Sequence, residues 1–236
     1  MIVTIKHSAR LDKLHPENWK KSKRFKQNKF DPPLNRKIGE KVAKRAIHKL
    51  FETGFNKIKY IYSSPLTRCI QTALIIQKEI KKKFNQDIKI RIEYGLTELE
   101  IDKPIFKNDK FNYSNKNYLD SELELDNIIK NYGDYFDTSY KSIIDFSEIK
   151  LEISELPFYT RSIKVYQKIK SQIKNENTII CGDLYSHNNA LYCLTRFRIS
   201  NYIEVLYGSV QLYKQNELNS RKSNRFKWIE IRDLKL

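Results

Sequence analysis

Strands alternating with helices along 236 residues predict an α/β fold, a three-layer sandwich around a largely parallel central sheet. Three observations carry that prediction. Short apolar runs recur from one end of the chain to the other. Amphipathic stretches with four-residue apolar spacing lie between several of them. The first, second and fourth runs each hand the chain on to a segment bearing His or Arg, the arrangement expected where a parallel sheet binds ligands beyond its strand carboxyl ends.

The elements follow in order. Ile2–Lys6 reads as a buried strand. Ser8 to Leu34 is polar and basic, with Pro16 and then Pro32-Pro33, and predicts a loop with little regular structure. Asn35 is placed to cap a helix running to about Phe51, with Ile38, Val42, Ala46 and Leu50 on one face and Gly54 as its stop. Ile58–Tyr62 is the second strand, and Pro65 is expected in the first turn of a helix reaching about Phe84. Ile88–Ile92 is a third strand. Residues 98–157 turn irregular, acidic and rich in Tyr and Asn, which predicts a lid inserted between core segments 1–97 and 158–236 of one domain. Phe158–Lys174 is amphipathic, Thr178–Cys181 is a fourth strand leading into a further helix, and Val205–Tyr213 and Phe226–Ile231 close the chain as strands.

Composition narrows the function classes. With 40% hydrophobic and 31% charged residues, the chain reads as soluble and globular. No stretch approaches a membrane span, and the apolar run at Met1–Ile5 is too short for a signal-peptide core. Cys69, Cys181 and Cys193 fall in no metal-ligand spacing and read as reduced thiols, so a cytoplasmic location is expected. The net charge of +17 is unevenly spread. Residues 1–49 hold 15 Lys and Arg against 4 Asp and Glu, whereas residues 98–155 hold 7 against 14. A cationic mouth would steer anionic substrates, although a Lys-, Asn- and Ile-rich composition also follows from an AT-rich genome. The basic stretch Lys20–Lys29 would suit nucleic acid, but charge runs are usually solvated faces, so nucleic acid is not the expected partner.

His7 follows the first strand between Lys6 and Arg10. Alone, such a His is more often structural, and Arg10 and Arg68 are more often surface ion-pair partners. The string from Ser63 to Ala73 is more specific, because it sets Arg68 in the first turns of a helix, where free N–H groups and the positive dipole end favour an anion. A guanidinium also matches two phosphate oxygens with its planar fork.

These residues resemble the motifs of the phosphoglycerate mutase-like histidine phosphatase superfamily. Its opening Arg-His-Gly is similar to Lys6-His7-Ser8. Its Ser-Ser-Pro-x-x-Arg-x-x-Gln-Thr-Ala string matches residues 63–73, its Gly-Leu-x-Glu matches Gly95-Leu96-Thr97-Glu98, and its Ser-His-Gly resembles Ser186-His187-Asn188. Within the superfamily the chain looks most like the phosphatase domain of the suppressor of T-cell receptor signalling proteins and ecdysteroid-phosphate phosphatase. The shared strings are His7-x-x-Arg10-x-Asp12, Asp31-Pro32-Pro33-Leu34, the Arg68-Cys69 pair and Asp137-Thr138-x-Tyr140. The Trp-Asn continuation of the mutases is absent.

The resemblance implies a phosphatase acting on a phosphomonoester, with His7 as nucleophile and transient phosphohistidine. Lys6, Arg10, Arg68 and His187 would bind the phosphoryl group, and Glu98 would be the proton donor. No metal or organic cofactor is implied, and the partner would be a phosphorylated small molecule or phosphoprotein. Three departures stand out: Lys6 for Arg, which loses the fork; Ser8 and Asn188 for small residues; and Ala9 for Glu. They leave open a weak, phosphate-binding pseudo-phosphatase, and a mutase-type phosphotransferase is the other alternative. The substrate is not legible in the chain.

Overall fold

The computed structural model describes residues 1–27, 31–98, 133–149, 155–195, 207–215 and 226–231. Six strands form one sheet: β1 (Ile2–Lys6), β2 (Ile58–Ser63), β3 (Ile90–Ile92), β4 (Asn177–Gly182), β5 (Val210–Gln215) and β6 (Phe226–Ile231). The spatial order is β3-β2-β4-β1-β5-β6. The three pairings on the β3 side are parallel and the two involving β5 are antiparallel, so the largely parallel sheet expected from the sequence is the one observed.

Strand alternation divides the core into two layers. Val3, Ile5, Ile61, Ile179 and Leu212 join Ala46, Ile47, Leu50, Ile70, Ala73 and Ile80 of helices α4 (Arg36–Glu52) and α5 (Thr67–Phe84). Their neighbours Ile2, Tyr62, Ile180 and Tyr213 face the other way. There they meet Val165, Tyr166, Ile169, Ala190 and Leu194 of α7 (Glu155–Gln172) and α8 (Leu184–Thr195). This is the three-layer sandwich. All five residues of β1 are buried, as a strand covered on both faces must be.

Helix ends follow local chemistry. The Asn35 side chain accepts from Ile38 N at 2.9 Å and caps α4, and Gly54, at φ +80°, turns the chain away after it. The segment expected to be an irregular loop instead holds three short helices, α1 (Leu11–Leu14), α2 (Pro16–Lys21) and α3 (Lys23–Gln27). Trp19 is buried there and meets Phe25 edge to ring at 5.7 Å, so tertiary packing overrides the polar composition. The α5 helix starts at Thr67 rather than at Pro65, and β3 begins at Ile90, two residues later than the apolar run suggests. Of the expected insertion, 99–132 and 150–154 lie outside the described residues. The described part includes α6 (Phe146–Ile149).

Glu93, at the end of β3, ties that segment to the sheet. Its fully buried carboxylate accepts from Gly95 N, the Tyr140 hydroxyl, Ser142 Oγ and Ile143 N at 2.7–2.9 Å, with Ile144 N at 3.4 Å. Replacing Glu93 by alanine leaves several buried donors without an acceptor. Urea denaturation is expected to show a loss of about 3 kcal/mol. A loss below about 1 kcal/mol would mean that the segment is held otherwise.

Candidate active site

The carboxyl ends of β1, β2, β3 and β4 meet at one edge. His7 continues β1, is 3% exposed, and donates its backbone N–H to the Gly182 carbonyl at 2.8 Å. Its Nδ1 lies 2.9 Å from the Ser8 carbonyl, a partner that can only accept. That contact places the proton of the neutral ring on Nδ1 and leaves Nε2 with its lone pair. Burial holds the His7 pKa well below its usual value, and the charge of Arg68, then of Arg10 and Lys6, pushes the same way against the Ser8 hydrogen bond. A neutral imidazole with a free Nε2 is the form a nucleophile requires.

Arg68 is fully buried on the first turn of α5, with Nη2 2.6 Å from Glu98 Oε2 and Nη1 3.4 Å from Asp31 Oδ1. Asp31 does more than balance charge. It accepts from Thr67 N at 3.0 and 3.1 Å and from Thr67 Oγ1 at 2.6 Å, so it caps α5 from 36 residues upstream. Arg24 Nη2 donates to the same Thr67 hydroxyl at 2.9 Å, which brings the basic N-terminal segment over the start of the helix.

Glu98 is held beside Arg68 by a buried support. Arg161, on the inner face of α7, donates to the Gly95 and Thr97 carbonyls at 2.6 and 3.0 Å and so fixes the turn that carries Glu98. A side chain at Gly95 would collide with Val165 and Ile144, so only glycine allows this turn to lie against α7.

The remaining sequence candidates divide. Arg10 reaches His7 electrostatically, but its fork is spent on Asp12, at 2.9 and 2.7 Å. Lys6 is buried, with Nζ 4.9 Å above the ring of Tyr207, whose centroid is 5.7 Å from that of His7. Ser8 turns away from the pocket: its hydroxyl donates to the Gly39 carbonyl at 2.6 Å and its N–H to Thr72 Oγ1 at 3.0 Å. Ser8→Ala should therefore cost about 1 kcal/mol of stability and leave catalytic rates within twofold, compared by thermal melts and initial rates. A tenfold fall in kcat would place the hydroxyl in the chemistry. Asn188 is buried within α8.

His187 stands on α8, past the end of β4. The residue that follows β4, level with His7, is Asp183, and His187 stands four residues on, in the first turn of α8. The His187 side chain lies outside the described residues. Asp31, Asp183, Arg161 and Tyr207 are the polar neighbours that motif reading passed over. Asp31 alone left a signal, as part of Asp31-Pro32-Pro33-Leu34.

Comparisons with known proteins bear on the fold and on part of the sequence. A model of the histidine phosphatase superfamily (branch 1) matches residues 15–105, a span holding Asp31, Arg68 and Glu98. That match takes in less than half of the chain, and it is this superfamily that residues 15–105 resemble. The ecdysone phosphate phosphatase of Bombix mori, solved with tungstate, superposes with a TM-score of 0.65 at 17% identity, covering 97% of this chain and 91% of that one. A phosphoserine phosphatase of Entamoeba histolytica gives 0.54 at 15% identity, over 98% and 96% of the two chains. In sequence, the human ubiquitin-associated and SH3 domain-containing protein A is 27% identical over 120 residues, which is 41% of this chain and only 18% of that protein. The chain therefore spans less than a fifth of the length of that relative. Among the described residues, no helix is long and apolar enough to cross a membrane, and no cluster of His, Cys, Asp and Glu suits a metal ion.

Proposed function

We propose that this protein is a phosphatase that hydrolyses a phosphomonoester through a phosphohistidine on His7. The observation that supports the reading best is the buried, neutral His7, with Nδ1 committed to the Ser8 carbonyl and three cations, Arg68, Arg10 and Lys6, acting on it. The Nε2 lone pair attacks phosphorus as the ester P–O bond breaks, and Glu98 hands its proton to the leaving oxygen. Water then attacks the phosphohistidine, Glu98 takes up the water's proton, and the P–N bond breaks to restore the imidazole.

Arg68 fits a phosphoryl group of either step. Its Nη2 is held by Glu98 Oε2 at 2.6 Å. A phosphoryl dianion is the stronger partner for that fork, so substrate binding releases the Glu98 carboxylate, which takes a proton from solvent and passes it to the leaving oxygen. The Arg68 charge then faces the equatorial oxygens, where each such donor is worth about 3 kcal/mol in the transition state. The substrate would be a phosphorylated small molecule or phosphoprotein, and with Cys69, Cys181 and Cys193 all free a reducing, cytoplasmic setting fits. Arg10, held by Asp12, favours the second reading, a weak phosphate-binding module.

Hydrolysis of p-nitrophenyl phosphate between about pH 4 and 8, a window that brackets ordinary Glu and His titration, separates the two. Turnover above that of a His7→Ala control is expected. Tungstate binding without any turnover would replace the phosphatase by the binding module.

A further inference from the structure

Asp183 is the group that the proposed chemistry leaves unused. It follows β4 as His7 follows β1, and the two strands run parallel in the register Lys6 opposite Gly182. Neighbouring strands lie about 4.8 Å apart, and the His7 N–H donates to the Gly182 carbonyl, so Asp183 stands beside the nucleophile at the sheet edge. The residue is fully buried. One carboxyl oxygen, Oδ1, accepts from Ser186 N at 2.9 Å and caps α8. The other, Oδ2, is buried and has no hydrogen-bond partner among the described residues. A buried polar atom left in that state calls for a ligand or a role.

Its surroundings set its protonation. Glu98 faces it from the β3 turn, Arg68 from α5 and Arg161 from α7. Cys69 and Tyr166 also feel its charge, and burial keeps both of them neutral. Burial first, then the Glu98 carboxylate, pushes the Asp183 pKa up to about 7, against the Ser186 hydrogen bond and the two arginines. A neutral carboxyl carries one O–H donor, whereas the ionised form only accepts. Beside His7, the neutral acid would attract a phosphoryl oxygen and the carboxylate would repel it.

We propose that Asp183 is a phosphate-binding residue of this pocket, donating from a protonated Oδ2 to a phosphoryl oxygen and rejecting the anion once ionised. The inference rests on reading the edge around His7 as a phosphoryl site, but not on turnover. It makes oxyanion binding acid-dependent through a carboxyl, in a pocket whose His7 is already neutral.

Tungstate tests it, because it remains a dianion across the neutral range and so contributes no titration of its own. Its affinity for the wild-type protein should fall about tenfold per pH unit above 7, the slope of one linked proton. In Asp183→Asn the amide oxygen keeps the Ser186 cap and the NH2 is a donor at every pH, so the affinity should stay level between pH 6 and 8.5. Parallel slopes in the two proteins, or no tungstate binding by either, would overturn the proposal. Should the variant fail to fold, calorimetry of the wild type in buffers of differing ionisation heat serves instead. Uptake of about one proton on tungstate binding at pH 8 supports the assignment, and no uptake overturns it. A pH-dependent tungstate site in a protein without esterase turnover would sink the phosphatase reading alone. Turnover with parallel slopes would sink the role of Asp183 alone.

Discussion

Replacing His7 with alanine is expected to lower kcat for p-nitrophenyl phosphate on the order of a thousandfold or more, the scale seen when a covalent nucleophile is removed. The fold should tolerate the change, since the His7 backbone N–H keeps its bond to Gly182 and, among the described residues, the ring's one hydrogen bond is with the adjacent Ser8 carbonyl. The wild-type pH profile carries a second signature. Because burial and the neighbouring cations depress the His7 pKa, acidification through 6.5 does not protonate the nucleophile. Its acid limb should therefore begin well below the ordinary imidazole value. The same shift bears on stability. In the window below about 6.5 the unfolded chain takes up a proton that folded His7 refuses, so this contribution is complete above 6.5 and is lost as the pH falls. A kcat within tenfold of wild type in His7→Ala would remove the histidine from the chemistry.

The second large effect concerns Arg68. Arg68→Ala removes the guanidinium that pairs with both Asp31 and Glu98, and both carboxylates stay in place around the gap. Removing one partner of a buried ionic network costs about 3 to 5 kcal/mol, which urea denaturation would register. Oxyanion binding should be lost as well. Arg68→Lys keeps the charge but not the fork, so it should recover much of the stability and little of the turnover. The His7 acid limb separates the two variants. Taking away the cation in Arg68→Ala raises the His7 pKa and moves the limb to higher pH, whereas Arg68→Lys leaves it near the wild-type position. A limb unmoved by Arg68→Ala would mean that Arg68 does not face His7.

The parts of this site that could be read from the chain are those fixed by short-range patterns. An apolar β-branched run ending in His7, and an Arg two residues into a helix after Ser63-Ser64-Pro65, specify position within a few residues of sequence. Asp31 could not be assigned a role that way, because its work is to cap a helix 36 residues away and local propensity carries no trace of it. Arg161 was hidden for a similar reason: an arginine on the inner face of an amphipathic helix looks like an interruption until the Gly95 and Thr97 carbonyls are seen opposite it. The fourth strand was legible to within a residue at each end, but the helix cap that follows it was not. In Cys181-Gly182-Asp183-Leu184-Tyr185-Ser186-His187 nothing local says whether the chain leaves the sheet before or after Asp183. The Asp183 side chain decides it by capping α8, which sets His187 in the first turn of that helix. The three short helices between Leu11 and Gln27 were equally illegible, since Trp19 and Phe25, rather than propensity, hold them.

The central claim is that His7 accepts the phosphoryl group. Rapid acid-free quenching of the protein during turnover of a 32P-labelled phosphomonoester, followed by peptide mapping, tests it most directly. One acid-labile, base-stable phosphate on the peptide containing His7, absent from His7→Ala, is the predicted result. A label on His15, His48 or His187 instead, or turnover with no labelled histidine at all, would contradict it.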